Sequence, residues 1–410
     1  MAGTRTVQAC CLGLLQWRML RRWTQAGITW EVILVIKNIQ SLRFVAAFLV
    51  LIHHTLPPNV HPAHYARIPH FFTELSLYGF AGVDIFFVIS GFIMAQTARQ
   101  SPGGLHAGSE FIARRFLRIY TGYWPAFFLV LFLSVWLGVF QEPEISRLGS
   151  FFLLPQEKYL LNVAWTLTYE LLFYLLIGVI LCFTSRRAMA VIAGLFVLLA
   201  LYVLVQHQRG FYVPGSNRWD LVLDTFLTSP LILEFMAGYL LNGLLHRFPR
   251  QRLLFWLPFA LLMTGLSVWV QKWGGLEGVG MAAYLYYPER ALLFGSAALG
   301  WVAVAAIAPE GRSWFLRLTQ KLGDASYALY LLHIPLLVIL YGVLFPRLGP
   351  LLWVGGGKLS LLVYIGTCLV MSWVYFRLVE IPLHQWSRRL VTRAFHRRPI
   401  DHSVTDQAPQ

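Results

Sequence analysis

The chain has 410 residues, 58% of them hydrophobic and 15% aromatic, and only 12% charged. Ordinary soluble domains carry charge on about a quarter of their residues, so the two or three soluble domains that length alone would suggest are excluded. A formal net charge of +15 raises the question of nucleic acid, and the placement of those charges answers it differently.

Apolar runs of about twenty residues, the length a helix needs to cross a bilayer, recur along the chain. They predict an all-α fold, a polytopic membrane helical bundle of about ten transmembrane helices. The spans fall near 39–57, 76–96, 119–140, 164–183, 188–206, 224–245, 252–270, 289–308, 323–345 and 358–379. Glu170, Glu234, and Glu289 with Arg290 lie in or beside the fourth, sixth and eighth. With a cytoplasmic N-terminus, about twenty-two lysines and arginines fall in inner loops and about nine in outer ones, as the positive-inside rule requires. That asymmetry accounts for the basic balance without nucleic acid. It predicts a multi-pass membrane protein with both termini cytoplasmic. A basic N-terminal segment covers 1–37, the membrane domain 38–382 and a short tail 383–410.

Residues 1–36 lack the order of a signal peptide. They read as a basic amphipathic preamble, or as an upstream start with Met19 as the true one. Cys10, Cys11, Cys182 and Cys368 show no framework spacing, so no disulfide is expected.

In the first span, "SLRFVAAFLVLIHHT", Arg43 and His54 are eleven residues apart. Eleven residues are about three helical turns, so both side chains leave one face, about 16 Å apart along the axis. Snorkelling to opposite headgroup layers would explain them; so would function, because ionisable groups in a bilayer are costly. His61, His64 and His70 follow in the first outer loop, but no acidic or cysteine ligand completes a zinc site. In the second span, "GVDIFFVISGFIM", Asp84 either pairs with a cation such as Arg43 or holds polar backbone in a bent helix. Ser90 and Gly91 there permit close helix approach.

Arg114, Arg115 and Arg118 stand at the inner rim of the third span, in "FIARRFLRIYTGYW". Rim anchoring explains one or two of them. The spacing also puts two on one helix face, where they could hold a polyphosphate such as that of coenzyme A. The fourth span begins "AWTLTYELLFY", which puts Glu170 near the depth of His54. The two could form a dyad in which the carboxylate orients the imidazole; a protonated Glu170 bonded to a neighbouring helix is the alternative. In the ninth span, "LGDASYALYLLHIPLL", Asp324 reads as an N-cap, and Tyr330 and His333 share a face near mid-bilayer. A packing histidine is the other reading there. "GGGKLS" at 355–360 lacks the first glycine of a phosphate loop and is rejected as one.

Five segments stand in order over roughly residues 38–380: "NIQSLRFVAAFLVLIHH", "GVDIFFVISGFIM", "RRFLRIYTGYW", "WTLTYELLFY" and "LGDASYALYLLH". Together they resemble the acyltransferase-3 family of integral membrane acyltransferases, most of all its exopolysaccharide-production acetyltransferase subgroup. The resemblance implies transfer of an acyl group, usually acetyl from cytoplasmic acetyl-CoA, to a carbohydrate hydroxyl at the outer face. It implies that Arg43 and His54 are the essential pair, that Arg115 and Arg118 are the arginines of the third-span motif, and that Glu170 is the glutamate of the fourth. Asp84, Trp165, Tyr330 and His333 are then substrate-side or structural polar positions. Two departures stand out. His53 occupies a position that is usually aromatic in the family, which leaves open which imidazole acts, and Thr121 replaces a common proline, with Pro125 a turn later. No esterase-like soluble domain follows the spans, so the membrane domain itself is expected to deliver the acyl group.

The expected activity is therefore O-acyl transfer to an exopolysaccharide or other surface carbohydrate. Arg114, Arg115 and Arg118 would hold the coenzyme, and Arg43 would line the route. His54, poised by Glu170, would act as general base or as acyl carrier. Acetyl-CoA is a co-substrate, with no tightly bound cofactor and no metal. The partners are the lipid bilayer, acetyl-CoA and surface polysaccharide or its lipid-linked precursor. The competing class is a transporter or flippase for a lipid-linked sugar; a purely structural membrane protein is the third.

Overall fold

The computed structural model describes residues 36–55, 70–139, 142–210, 226–247, 253–273, 288–311, 313–348 and 358–396. The expectations for the N-terminal segment before residue 36, for His61 and His64, for residues 355–357 and for the tail beyond residue 396 lie outside them. Helices dominate and no strand forms among the described residues. Eight helices are long and apolar enough to cross a membrane, which makes the chain a polytopic helical membrane protein.

The first predicted span is α1 (Lys37–Thr55), which Lys37, Asn38, Gln40, Arg43 and two histidines make less apolar than the eight. A short α2 (His70–Tyr78) lies against it. Next comes α3 (Ala81–Gln100). A Cβ on Gly79 would overlap Leu49, and one on Gly82 would overlap Ala46 and Val50. The contacts descend α1 as they ascend α3, so the two helices run antiparallel with backbones almost touching.

α4 (Leu105–Leu137) is 33 residues long, about 50 Å, and begins well before the predicted 119. Hydropathy sees only its apolar part, whereas residues 105–118 mix charged and polar groups with apolar ones, so the helix continues where the mean hydropathy has fallen. Gly138, at φ 67°, closes it in the left-handed conformation that favours glycine. The chain then returns along α4 instead of staying at its end. It forms a short α5 (Arg147–Phe151), capped by Ser146. The carbonyls of Ser150, Phe151 and Phe152 accept hydrogen bonds from Tyr123 (2.6 Å), the Trp124 indole (3.2 Å) and Tyr120 (2.7 Å). Those donors lie 13 to 17 residues before Leu137, so the returning chain descends by about 20 Å. Non-helical backbone at that depth needs such side-chain donors.

A single 3-10 turn, Asn162–Ala164, then leads into α6 (Trp165–Phe183). α7 (Ala188–Gln208), α8 (Leu231–Arg247), α9 (Leu253–Trp273) and α10 (Pro288–Ile307) follow. α11 (Trp314–Asp324) is capped by Ser313, which accepts from the Leu316 N–H, and it packs on α1. Asp324 closes α11 and does not cap the next helix, because a break at Ala325 separates the two. α12 (Ser326–Leu337) continues through a π turn, Val338–Leu344, to Leu348. α13 (Lys358–Tyr375) passes through a second π turn, Phe376–Glu380, into α14 (Ile381–Phe395).

α3 is the most buried span, packed by α1, α6, α8 and α10, whereas α7 and α9 are the least buried. α12 packs on α1, α4 and α13. The interior is aromatic: Phe87 stacks on Phe235 (4.4 Å between centroids), which in turn stacks on Phe173 (4.8 Å). Most polar residues of the sequence motifs lie on α1, α3, α4, α6 and α12, which pack on one another.

Candidate active site

α1 carries Arg43 and His54 on one face, and the structure gives each its own polar centre. At the His54 end, the ring Nδ1 lies 2.9 Å from the Val50 carbonyl, four residues back on the same helix. It also lies 3.3 Å from Nε2 of His333 on α12. The Nδ1 of His333 in turn faces the Leu329 carbonyl at 3.2 Å. A carbonyl only accepts, so these hydrogen bonds assign the proton of each ring to Nδ1. The His54 Nδ1–H is then shared between Val50 and the lone pair on His333 Nε2. His54 Nε2 keeps a free lone pair and has no hydrogen-bond partner among the described residues. His54 is half-buried, whereas His333 is fully buried.

His53 has a different task. Its Nδ1–H donates to the Ser76 carbonyl at 2.7 Å and its ring meets Phe80 edge-on. That tie holds the end of α2 against α1, a structural role for the imidazole whose purpose the sequence left open.

Glu170 is not at the depth of His54 and does not touch it. It accepts hydrogen bonds from Ser90 (3.0 Å) and from Tyr174, one turn further along α6. The reason is the returning chain: α6 starts part-way down α4, with Trp165 edge-on to Phe87, so counting residues from an outer boundary placed Glu170 too high. The charged groups near Glu170 are Arg43 and Arg115. Of the two readings of Glu170, its hydrogen bond to a neighbouring helix matches the geometry and the dyad with His54 does not.

The three arginines of α4 divide. Arg115 donates to Thr97 of α3 at 2.9 Å and lies over the Phe111 and Tyr174 rings. Arg118 is exposed and makes no hydrogen bond or ion pair among the described residues. Arg114 points elsewhere: its guanidinium grips the buried Glu110 at 2.6 and 2.8 Å and reaches Thr392 of α14 at 3.3 Å. His396 joins the same carboxylate at 3.0 Å. Arg114 is thus committed to docking the C-terminal helix and is not placed to hold an anion with Arg115 and Arg118. Arg43 donates a hydrogen bond to Gln40 at 3.2 Å and lies within electrostatic reach of Arg118, Glu380 and Glu170.

One face of α12 joins the two centres. Tyr327, Tyr330 and His333 follow at intervals of three, covering about 9 Å of helix. Tyr327 donates to the Ile119 carbonyl of α4 at 2.9 Å. Tyr330 reaches the Val163 carbonyl (3.0 Å) and Thr166 (2.8 Å) at the start of α6. Trp165 is half-buried, and its indole N–H makes no hydrogen bond among the described residues.

Asp84 pairs with neither Arg43 nor backbone. Its carboxylate takes a bidentate bond from Arg290 of α10, at 3.0 and 2.8 Å, with both side chains fully buried. Arg290 also lies 4.8 Å above the Phe80 ring. Glu234 of α8 sits beside the pair. Arg290, Tyr174 and Glu380 were therefore missed by sequence reasoning. Two signals were available: an arginine at the start of an apolar span needs an acidic partner, and Tyr174 stands one turn from Glu170. Among the described residues no group of three or more His, Cys, Asp or Glu is arranged to hold a metal ion.

A family model described as an acyltransferase domain, that of acyltransferase-3, matches residues 36–376. The chain is also 32% identical over 269 residues to the exopolysaccharide production protein ExoZ of Rhizobium meliloti (strain 1021), covering 62% of this chain and 75% of the relative. No solved structure matches. With that model spanning every helix described above except the last, the chain belongs to the acyltransferase-3 family and is a membrane acyltransferase.

Proposed function

We propose that this protein moves an acetyl group from cytoplasmic acetyl-CoA to a hydroxyl of an exopolysaccharide or its lipid-linked precursor, in the inner membrane with both termini inside. The observation that carries this is the Nε2 of His54, which has no hydrogen-bond partner among the described residues and lies one helix length from a centre where Arg43, Arg115 and Arg118 gather. The excess of lysine and arginine in alternate loops supports the orientation. The relative's name supports a surface carbohydrate as acceptor.

Arg118, exposed and uncommitted, binds a phosphate of the coenzyme, and Arg115 adds a second donor. Arg43 lies about 16 Å from His54 along α1, a span that an extended pantetheine arm covers. Past the Tyr327 and Tyr330 face, the thioester carbonyl then stands beside His54. Nε2 removes the hydroxyl proton as the oxygen attacks the carbonyl; the thiolate leaves and takes up that proton. His54 stands in the last turn of α1, where the helix dipole favours the positive charge that the ring gains. The same lone pair could instead attack the carbonyl directly and form an acyl-imidazole. Direct transfer gives ternary-complex kinetics, and the acyl-enzyme gives ping-pong kinetics.

The test is purified protein in liposomes with acetyl-labelled coenzyme and a lipid-linked oligosaccharide, read by mass spectrometry of the sugar. Wild type adds one acetyl increment, and His54→Ala loses it. Movement of the sugar across the bilayer without thioester consumption would instead identify a flippase.

A further inference from the structure

The orienting partner expected for His54 was a carboxylate, and the structure puts an imidazole there. We propose that His333 is the positioning residue of this site: its neutral Nε2 accepts the Nδ1 proton of His54 and thereby holds His54 Nε2 free towards the acceptor hydroxyl. The inference rests on the reading of His54 as the acting imidazole.

The geometry is specific on four points. His333 Nε2 stands 3.3 Å from His54 Nδ1, with the ring centroids 5.1 Å apart. His333 Nδ1 is taken by the Leu329 carbonyl at 3.2 Å, which leaves Nε2 as the acceptor and no donor on that side. His333 is fully buried and both its nitrogens are occupied, so it reaches a substrate only through His54. Its place on α12 is fixed: Tyr364 of α13 donates to its carbonyl at 2.9 Å, and the Tyr330 ring packs beside it. Pro335, two residues on, has no N–H for the Leu331 carbonyl, and the π turn from Val338 follows. Such interruptions of a helix ladder occur at functional sites.

Without His333, only the Val50 carbonyl favours the proton on Nδ1, and part of the population moves to Nε2. The tautomer with Nε2–H has no lone pair facing the hydroxyl and neither removes a proton nor carries an acyl group. His333 does for this ring what the aspartate does in a hydrolytic triad, orienting it without becoming protonated. The proton balance stays as stated: the hydroxyl proton goes to His54 Nε2 and from there to the departing thiolate. Among the described residues, the other titratable groups around the pair are His53 on α1, Tyr330 on α12 and Tyr364 on α13, each bonded to a backbone carbonyl.

Two measurements on the full chain in nanodiscs test this. The first needs no turnover: ring 15N shifts of labelled histidine, with His54 assigned from the His54→Ala difference spectrum. Wild type shows His54 with its proton on Nδ1, and His333→Leu shows a mixture of tautomers. The second is acyl transfer. His333→Leu loses about 100- to 1000-fold in kcat with donor KM unchanged, while His333→Gln, whose amide oxygen can accept the same proton, stays within about tenfold. An unchanged His54 tautomer in His333→Leu, or equal losses in the Leu and Gln variants, overturns the proposal. A wild type with the expected tautomer but no acyl transfer would overturn the reading of the reaction and leave the positioning role standing.

Discussion

Arg43 and His54 share a helix face, as their spacing requires, yet their surroundings differ: one joins a cationic centre and the other an imidazole pair. The spacing was legible because helical phase depends only on residue number. The partners were not, because Glu170 and His333 come from helices whose depth is set elsewhere. Arg114, Arg115 and Arg118 show the same limit, since their sequence spacing made all three look equivalent. Arg118→Ala should raise the donor KM about tenfold, the loss of one charge-assisted hydrogen bond, with kcat little changed. Arg114→Ala should leave that KM alone, because its guanidinium is spent on Glu110 and Thr392. Its effect belongs to the docking of α14, read as faster proteolysis near residue 392. Steady-state kinetics on both variants separates the roles, and equal KM effects would contradict the division.

At the scale of elements, the apolar runs located the helices to within about seven residues, except where a helix outlasted its apolar stretch. α4 is the clearest case: its first turns are polar and amphipathic, and hydropathy does not register them. Helix packing was visible only as a permission, in the small residues of the second span. In the structure, Gly91 lets α3 touch the backbone of α8, and a Cβ there would overlap the Phe235 carbonyl. Gly366 on α13 faces open space. Gly91→Ala should therefore destabilise the bundle by at least about 1–3 kcal/mol, since backbone cannot move aside as a side chain can. Gly366→Ala should cost nothing and gain up to about 1 kcal/mol of helix propensity. Thermal unfolding of the two variants in detergent gives the comparison; similar midpoints would show that α3 and α8 are not in such close contact.

For the whole molecule, the buried pair of Asp84 and Arg290 ties α3 to α10 behind His53 and so sets how α1 lies against both. Breaking a buried pair leaves one charge uncompensated, at a cost of about 3–5 kcal/mol. Asp84→Asn and Arg290→Met should each lose folded protein by roughly that much. The double substitution should recover most of the loss, because two neutral groups need no counter-ion. A double-mutant cycle on unfolding tests this, and additive losses would mean that the two residues do not act as a pair.

The sequence by itself determined the class of molecule and most of the polar side chains that its spans carry. A helix must bury its own backbone bonds in lipid, so composition and run length dictate the spans, and charge in oil is rare enough to mark function. Only the tertiary structure decided which of those side chains meet. The chain turns back along α4 and starts α6 part-way down the bundle, and that shift in depth moves Glu170 away from His54 and leaves the place beside it to His333. Depth in a bundle is set by packing between helices, through contacts that no local pattern of residues encodes.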